Sequence, residues 1–499
     1  MENRIYGTIT LGVATLLYAM AFRQYKRHKY NQSLFLIILG GLLLRVFASM
    51  DFYLNEWDER YHALVAKNLL DNPFKPMLYK VPLLEYDYRE WASNHVWLHK
   101  QPFPLYTMAA SMWLFGKNTI ALRLPSILLS TASIFATYKI GKLLSDNKTG
   151  LLAAFFCSIN GLVIEHAAGR VATDHTDSFF FSLITLSVYF LLRSVQKASM
   201  PSLIIGSILI GQAILSKWLS ALIVVPLWLI FSIHKITAKN ILKNLLIFAG
   251  IVLIVFLPWQ IYITNRFPVE AAWEYKFNVR HISENLGPHA DVFYFHFNRM
   301  RIIFGELVYL PLIWLMVFSY KNLKVRNYSH LMLSVWILIP YLFFSLVATK
   351  MPGYIMPCAS AIFIMTSMFF VYLESLQTKY SKLKNLTMLL LVILPIRYSI
   401  ERIKPFDIRD RNPSWIQEMK NICAITEAKK AVVFNCRFPI ETMFHTDMIA
   451  YETAPEPEKL RELNSKGYTI FMDNHKEVKR ELMELDFVRY IKVTGHNKW

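Results

Sequence analysis

Long apolar runs recur along this chain, separated by short polar stretches. Residues 33–50, 177–195, 245–264 and 331–348 are the clearest. Each is long enough for a helix to cross the hydrocarbon core of a bilayer, roughly 30 Å thick. The same reading predicts spans at 5–22, 33–50, 119–141, 150–167, 177–195, 203–216, 218–233, 245–264, 302–319, 331–348, 354–373 and 385–399. After residue 400 the pattern changes. Ala431-Val-Val-Phe-Asn and Tyr468-Thr-Ile-Phe-Met read as short buried strands, and 456–465 and 476–485 read as helices. The pattern predicts an all-α polytopic membrane domain over 1–400, followed by a small α/β domain over 401–499.

Charge orients these spans. The segments 23–30, 139–148, 193–197, 234–243, 320–330 and 374–384 each carry two or more Lys or Arg, the mark of cytoplasmic loops. On the other side fall 51–116, 169–176, 265–300, 350–353 and the tail. The alternation holds from end to end, and an even count places both termini outside. Composition agrees: 55% of residues are hydrophobic and 15% aromatic, more than a soluble domain of this length carries. The net charge of +19 would suit nucleic acid, but it is spread over the loops, with no basic stripe or RNA-binding motif. Four cysteines are too few for a disulfide framework. Cys157 and Cys358 lie in apolar segments, whereas Cys423 and Cys436 would pair if the tail faces an oxidising space. The first apolar run has no Ala-x-Ala exit before Arg23, so no cleavable signal peptide is expected. Sequons at Asn31, Asn147, Asn327 and Asn385 fall in or beside cytoplasmic loops and read as chance matches.

The candidate chemistry gathers on the outer face. The first outer loop contains Glu56-Trp-Asp-Glu-Arg-Tyr-His, in which Tyr61, Leu64, Val65 and Leu69 recur at helical spacing. This predicts an amphipathic helix on the membrane surface. Asp58 and Glu59 in its first turn either complement the helix dipole or supply a general base. His99-Lys100-Gln101-Pro102 follows. A histidine beside a lysine there is a candidate for metal or phosphate, or a solvated pair before a helix. The second loop presents Asp174 and Asp177 just before a span, as helix caps or as the lining of a cavity. The third carries Arg280 and His281, and the fourth is Lys350-Met-Pro-Gly-Tyr354-Ile-Met-Pro357. Lys217 is wedged between two spans. An ammonium in such a place suits a lipid-linked phosphate, although snorkelling at a helix end is the commoner role for either lysine alone.

The order of these motifs resembles the GT-C membrane glycosyltransferases, in the group that holds the aminoarabinose transferases (ArnT) and the protein O-mannosyltransferases. The likeness runs from about 51 to about 360. Asp58-Glu59 opens the first loop, then come His99-Lys100-Gln101-Pro102, Phe115-Gly116, Arg123-Leu-Pro-Ser, Asp177-Ser-Phe-Phe-Phe, Leu215-Ser-Lys217 and finally Lys350-Met-Pro-Gly-Tyr354. The resemblance implies transfer of a sugar from a polyprenyl-phosphate donor to a lipid, glycan or protein acceptor, at the outer face of a bacterial inner membrane. It assigns Asp58 as general base, with Glu59 and Asp177 as further catalytic carboxylates. Lys100, Lys217, Arg280, Lys350 and Tyr354 become candidates for the donor phosphate, with Asp174 and Arg123 as accessory positions.

Two departures accompany the likeness. The aminoarabinose transferases carry Glu where His99 stands, and that Glu with a loop histidine binds a divalent metal. Here the pair is His99 and His281, a candidate site for zinc, magnesium or manganese. No nucleotide cofactor is expected. The first span is an addition ahead of the family's usual first helix. The rival readings are a multi-pass transporter or flippase of lipid-linked sugars, and a non-catalytic scaffold that binds lipid carriers. A transporter calls for polar residues at mid-membrane and repeated halves, whereas no internal repeat is evident and the polar residues lie at the outer boundary.

Overall fold

A computed structural model describes residues 2–286, 289–323, 328–426, 430–475 and 480–495. The sequon at Asn327 and the start of the expected helix 476–485 lie outside them. The chain forms two compact units. The first comprises 1–49, 100–104 and 123–408; the second comprises 50–99, 105–122 and 409–499.

The first unit is helical. Eight helical runs among the described residues are long and apolar enough to cross a membrane, or up to ten if each of two bent pairs is one span. Every span read from the sequence falls on a helix. Segment 150–167 lies on the bent pair Asn147–Ile159 and Gly161–Ala167, and 302–319 on Phe295–Phe304 with the run from Glu306. Two expected spans, 203–216 and 218–233, share the run Met200–Ser232. That run is not one rod. Leu203 and Trp228 line one small cavity with Leu191, whereas a straight helix would hold them roughly 37 Å apart. The chain turns at Trp218, whose φ is +63°, and so leaves Lys217 at the tip of a hairpin. The last span falls in Ser381–Ile403.

Polar groups inside this unit repair broken helices. The 54° bend after Ile159 frees carbonyls at the end of the first piece. Arg45, fully buried, donates to Ser158 O at 3.1 Å and Cys157 O at 3.3 Å, and to Ser130 Oγ at 3.0 Å. Asn160 restarts the chain, its Oδ1 accepting from Val163 N at 3.1 Å. The two ends of the unit meet. Asn3 Nδ2 donates to Asp407 O at 2.8 Å and Lys404 O at 3.2 Å, and a Cβ on Gly7 would overlap the Pro405 carbonyl. Both ends therefore lie on one side of any membrane the unit crosses, as an even number of spans requires.

The second unit carries the tail's sheet. Strands β1 (Ala431–Phe434), β2 (Ile449–Ala450), β3 (Thr469–Asp473) and β4 (Val488–Ile491) form one parallel sheet in the order β2-β1-β3-β4. β2 and β4 carry little apolar alternation and were not legible as strands. Val432, Phe434, Ile470 and Met472 pack on Leu460 and Leu463 of helix Pro457–Ser465. The first outer loop belongs to this unit as well. Its helix, Asp58–Leu69, is buried nearly all round rather than on one face, which corrects the expected surface helix. Lys67 reaches past the apolar stripe and donates to the carbonyls of Met443 at 2.8 Å, Phe444 at 3.1 Å and Thr446 at 2.6 Å. It thereby caps helix Pro439–His445. Asp51 is held between Arg409 at 2.9 Å and Arg411 at 3.2 Å. Cys436 is a free, buried thiol, and the side chain of Cys423, its expected partner, lies outside the described residues. Burial pushes that thiol up to about 12.

His445 ends the capped helix, and its Nε2 is buried with no hydrogen-bond partner among the described residues. Burial, and then the positive Lys420 and Lys67, push the imidazole down to about 4. Below the ordinary value of about 6.5 the unfolded chain takes up a proton that the folded chain refuses. The unit is therefore expected to lose about 3 kcal/mol as pH falls from 7 to 4. Thermal melts of the full chain across that range should show the loss, and His445→Gln should remove this part of it. Parallel profiles for the two proteins would contradict the assignment.

Candidate functional site

Three motifs distant in sequence meet in the first unit. Helix Asp174–Gln196 begins after Thr173, which adopts a left-handed φ of +62°. This turn aims the Thr173 hydroxyl back at Asp177, where it donates to Oδ2. Asp177 is 1% exposed. A carboxylate so deeply buried needs a counter-charge, and Lys217 Nζ supplies it by pairing with Oδ1. Lys217 sits at the tip of the hairpin made by Met200–Ser232, so the turn at Trp218 delivers the ammonium to the carboxylate. The third motif closes the site. Tyr354 lies in the 3-10 turn Pro352–Cys358, and Lys217 Nζ is 4.7 Å from the centre of its ring.

Lys217 does not snorkel away from the protein. Its side chain is 20% exposed, held by a carboxylate and a ring face. With both oxygens engaged, Asp177 orients Lys217 rather than acting as a free base. His166 stands behind the pair, its Nε2 3.7 Å from Asp177 Oδ2. Its Nδ1 lies 2.8 Å from Leu162 O. A carbonyl only accepts, so Nδ1 carries the hydrogen.

Other expected residues are placed differently. The Lys350 ammonium is committed to the carbonyls of Ser345 at 2.9 Å, Phe344 at 3.5 Å and Val347, capping helix Ser329–Leu346. Its desolvation lowers its pKa. It builds the loop that carries Tyr354 and does not present a cation. Arg280 pairs with Glu284 at 2.8 Å on the surface. Lys100 is half-buried in a segment anchored by its neighbour Gln101, whose Oε1 accepts from Gln260 Nε2 at 3.1 Å. Arg123, fully buried, donates to Ser49 O at 2.9 Å. Asp174 is equally buried and accepts from the amide of His175. His175 Nδ1 in turn lies 2.7 Å from Ser126 Oγ.

In the second unit Asp58 is half-buried in the first turn of its helix. Glu59 beside it is fully buried, and its Oε2 accepts from Asn55 N at 2.6 Å and Asn55 Nδ2 at 2.7 Å. Glu59 thus ties down the chain entering the helix, a capping role. His99 stacks on Trp91 with ring centres 4.7 Å apart, and His281 Nδ1 lies 3.0 Å from Phe277 O. Among the described residues no group of three or more His, Cys, Asp or Glu is placed to hold a metal ion. Within neither unit do the described residues assemble a set of such ligands around His99 or His281. Sequence reading missed His166 and Thr173. Thr173 had a signal, since a hydroxyl four residues before a first-turn acid is a local bonding pair; His166 had none.

The family model described as dolichyl-phosphate-mannose-protein mannosyltransferase matches residues 99–262. The undecaprenyl phosphate-alpha-4-amino-4-deoxy-L-arabinose arabinosyl transferase of Yersinia enterocolitica is 26% identical over 256 residues, 50% of this chain and 45% of that protein. The enzyme of the same name from Yersinia pestis is 26% identical over 258 residues. The match thus spans about half the length of these curated relatives. Among solved structures, ArnT from Cupriavidus metallidurans bound to undecaprenyl phosphate superposes with a TM-score of 0.58 at 14% identity, covering 86% of this chain and 87% of that one. The archaeal oligosaccharyltransferase AglB from Archaeoglobus fulgidus, in complex with an inhibitory peptide and a dolichol-phosphate, gives a TM-score of 0.54 at 14% identity, covering 85% of this chain and 65% of that one. The resemblance drawn from the motif order is borne out, and the fold is that of the GT-C membrane glycosyltransferases.

Gly353 shows how tightly the three motifs fit. A Cβ there would overlap Asp177 Oδ2 and sit 2.9 Å from His166 Nε2. Neither group has room to yield, so Gly353→Ala is expected to cost about 1–3 kcal/mol and to pull Asp177 from Lys217. Thermal unfolding of the purified chain measures the cost, and an unchanged melting temperature would show that the carboxylate can move.

Proposed function

We propose that this chain is an integral membrane glycosyltransferase. It moves a sugar from a polyprenyl-phosphate carrier to an acceptor at the outer face of a bacterial inner membrane. The observation that carries the reading is Lys217, an ammonium built into a rigid frame by Asp177 and Tyr354 at the tip of a membrane hairpin. A cation fixed in advance costs no reorganisation when charge develops beside it. The relatives that match this chain are named for transfer from undecaprenyl phosphate, and such a carrier leaves as a phosphate.

The chemistry follows. An acceptor hydroxyl attacks the anomeric carbon as the bond to the carrier's phosphate oxygen breaks. The new glycosidic bond forms with inversion. The hydroxyl proton passes to the Asp58 carboxylate, and the electron pair of the broken bond leaves on the polyprenyl phosphate. Lys217 neutralises that phosphate, and Lys100 is the second candidate cation. Asp177 positions Lys217 and does not touch the proton.

Transfer assays with the purified protein and a radiolabelled polyprenyl-phosphate sugar test these roles. Asp58→Asn should lower kcat about a hundredfold or more while donor binding persists. Lys217→Ala should lower it by a similar factor and weaken donor binding. Transfer at the normal rate by Asp58→Asn would remove the mechanism. Uptake of label into vesicles without a glycosylated product would favour a transporter.

A further inference from the structure

The second unit holds a cleft of about 740 Å³, within the range of pockets that enclose small ligands. One wall is the end of the parallel sheet. In the order β2-β1-β3-β4 the chain leaves β1 toward β2 on one side and leaves β3 toward β4 on the other. The crevice at the carboxyl ends of β1 and β3 is thus the topological switch point, where open α/β sheets bind ligands. Arg437 follows β1, His475 follows β3, and both line the cleft. Asp473, fully buried at the end of β3, locks the two loops. Its Oδ2 accepts from Arg437 N at 3.1 Å and faces His475 Nδ1 at 3.1 Å, and its Oδ1 accepts from Val493 N at 3.1 Å.

The other wall comes from the first outer loop. Glu56 and Trp57, the two residues before Asp58, line the cleft. Trp57 is 56% exposed. Arg60 of the same helix reaches Glu441 at 3.3 Å, and Tyr79 stacks on Tyr451 with ring centres 4.8 Å apart and planes 14° apart. The walls are thus tied together before any ligand arrives. An open indole face with planar carboxylates (Glu56, Glu452) and a guanidinium (Arg437) around it matches the chemistry of a sugar. Its C–H face lies on the ring, and its hydroxyls donate to carboxylates and accept from the guanidinium. The mixture of charges suits a polyhydroxyl ligand better than a polyanion.

We infer that this cleft is the acceptor site, and that the acceptor is the sugar chain of a glycan rather than a lipid headgroup or a peptide. The inference rests on the transferase reading above, in which Asp58 takes the acceptor's proton. Residues Glu56 and Trp57 make the cleft continuous in sequence with that base.

Two measurements on the full-length protein in nanodiscs test it. The first is binding of fluorescently labelled, delipidated polysaccharide prepared from a strain lacking this protein. Saturable binding is expected, weakened at least tenfold by Arg437→Ala and by Glu452→Gln, and unaltered by Lys80→Ala outside the cleft. The second is transfer of labelled sugar from the polyprenyl-phosphate donor to the polysaccharide, lipid A and protein fractions of that strain. Label should enter the polysaccharide. Both cleft variants should raise the KM for it at least tenfold with no change in the KM for the donor. Absent binding, binding indifferent to both variants, or label in the lipid or protein fraction would overturn the inference. Cleft-dependent binding with no transfer to any fraction would instead overturn the transferase reading and leave a glycan-binding site standing. Unaltered melting temperatures for Glu452→Gln and Arg437→Ala would exclude misfolding as the cause.

Discussion

The pairing of Asp177 with Lys217 is the constraint around which the first unit is organised. A carboxylate 1% exposed within an apolar helical unit is costly unless it is paired. The fold meets that cost by bending the run Met200–Ser232 so that an ammonium arrives at its tip. The left-handed Thr173 starts the acid's helix at the angle that lets its hydroxyl reach Oδ2. Gly353 must lack a side chain because the carboxylate fills the space. Lys350 holds the loop that brings Tyr354 over the ammonium. Each feature looks local, yet each is needed to keep one charge pair in place.

Elsewhere in both units buried cations do the same kind of work. Arg45 satisfies carbonyls released where a helix breaks, and Lys67 satisfies those at the end of another. A helix end enclosed in protein cannot turn to water, so a long side chain with several donors is the economical substitute. The enclosed helix Asp58–Leu69 shows the consequence for function. Its polar residues are spent on neighbours, with Glu59 holding the chain that enters it and Lys67 capping the next helix. Its half-buried first residue, Asp58, is the carboxylate with access to solvent on that turn.

Much of this was legible in the residues. The period and length of the apolar runs located the helices, because a bilayer demands about 20 apolar residues per crossing. The order of the motifs pointed to the family likeness. The strands at 431 and 469 were visible as short apolar runs, whereas β2 and β4 were not. Edge strands of two and four residues carry too little pattern to read. The surface helix was misjudged because its stripe of Tyr61, Leu64, Val65 and Leu69 looks the same whether the opposite face meets water or protein.

Sequence by itself determined that this chain is a helical membrane protein with an α/β tail, and which residues were worth watching. Those properties depend on composition and period, which are local. It left Lys217 divided between snorkelling and phosphate binding, and Asp177 divided between cap and catalyst. Only the tertiary structure decided that these two residues are partners, that Lys350 caps a helix, and that His99 stacks on Trp91 while His281 meets the Phe277 carbonyl. The reason is physical. The role of an ionisable group is set by what lies within a few ångströms of it, and those neighbours come from segments far away in the chain.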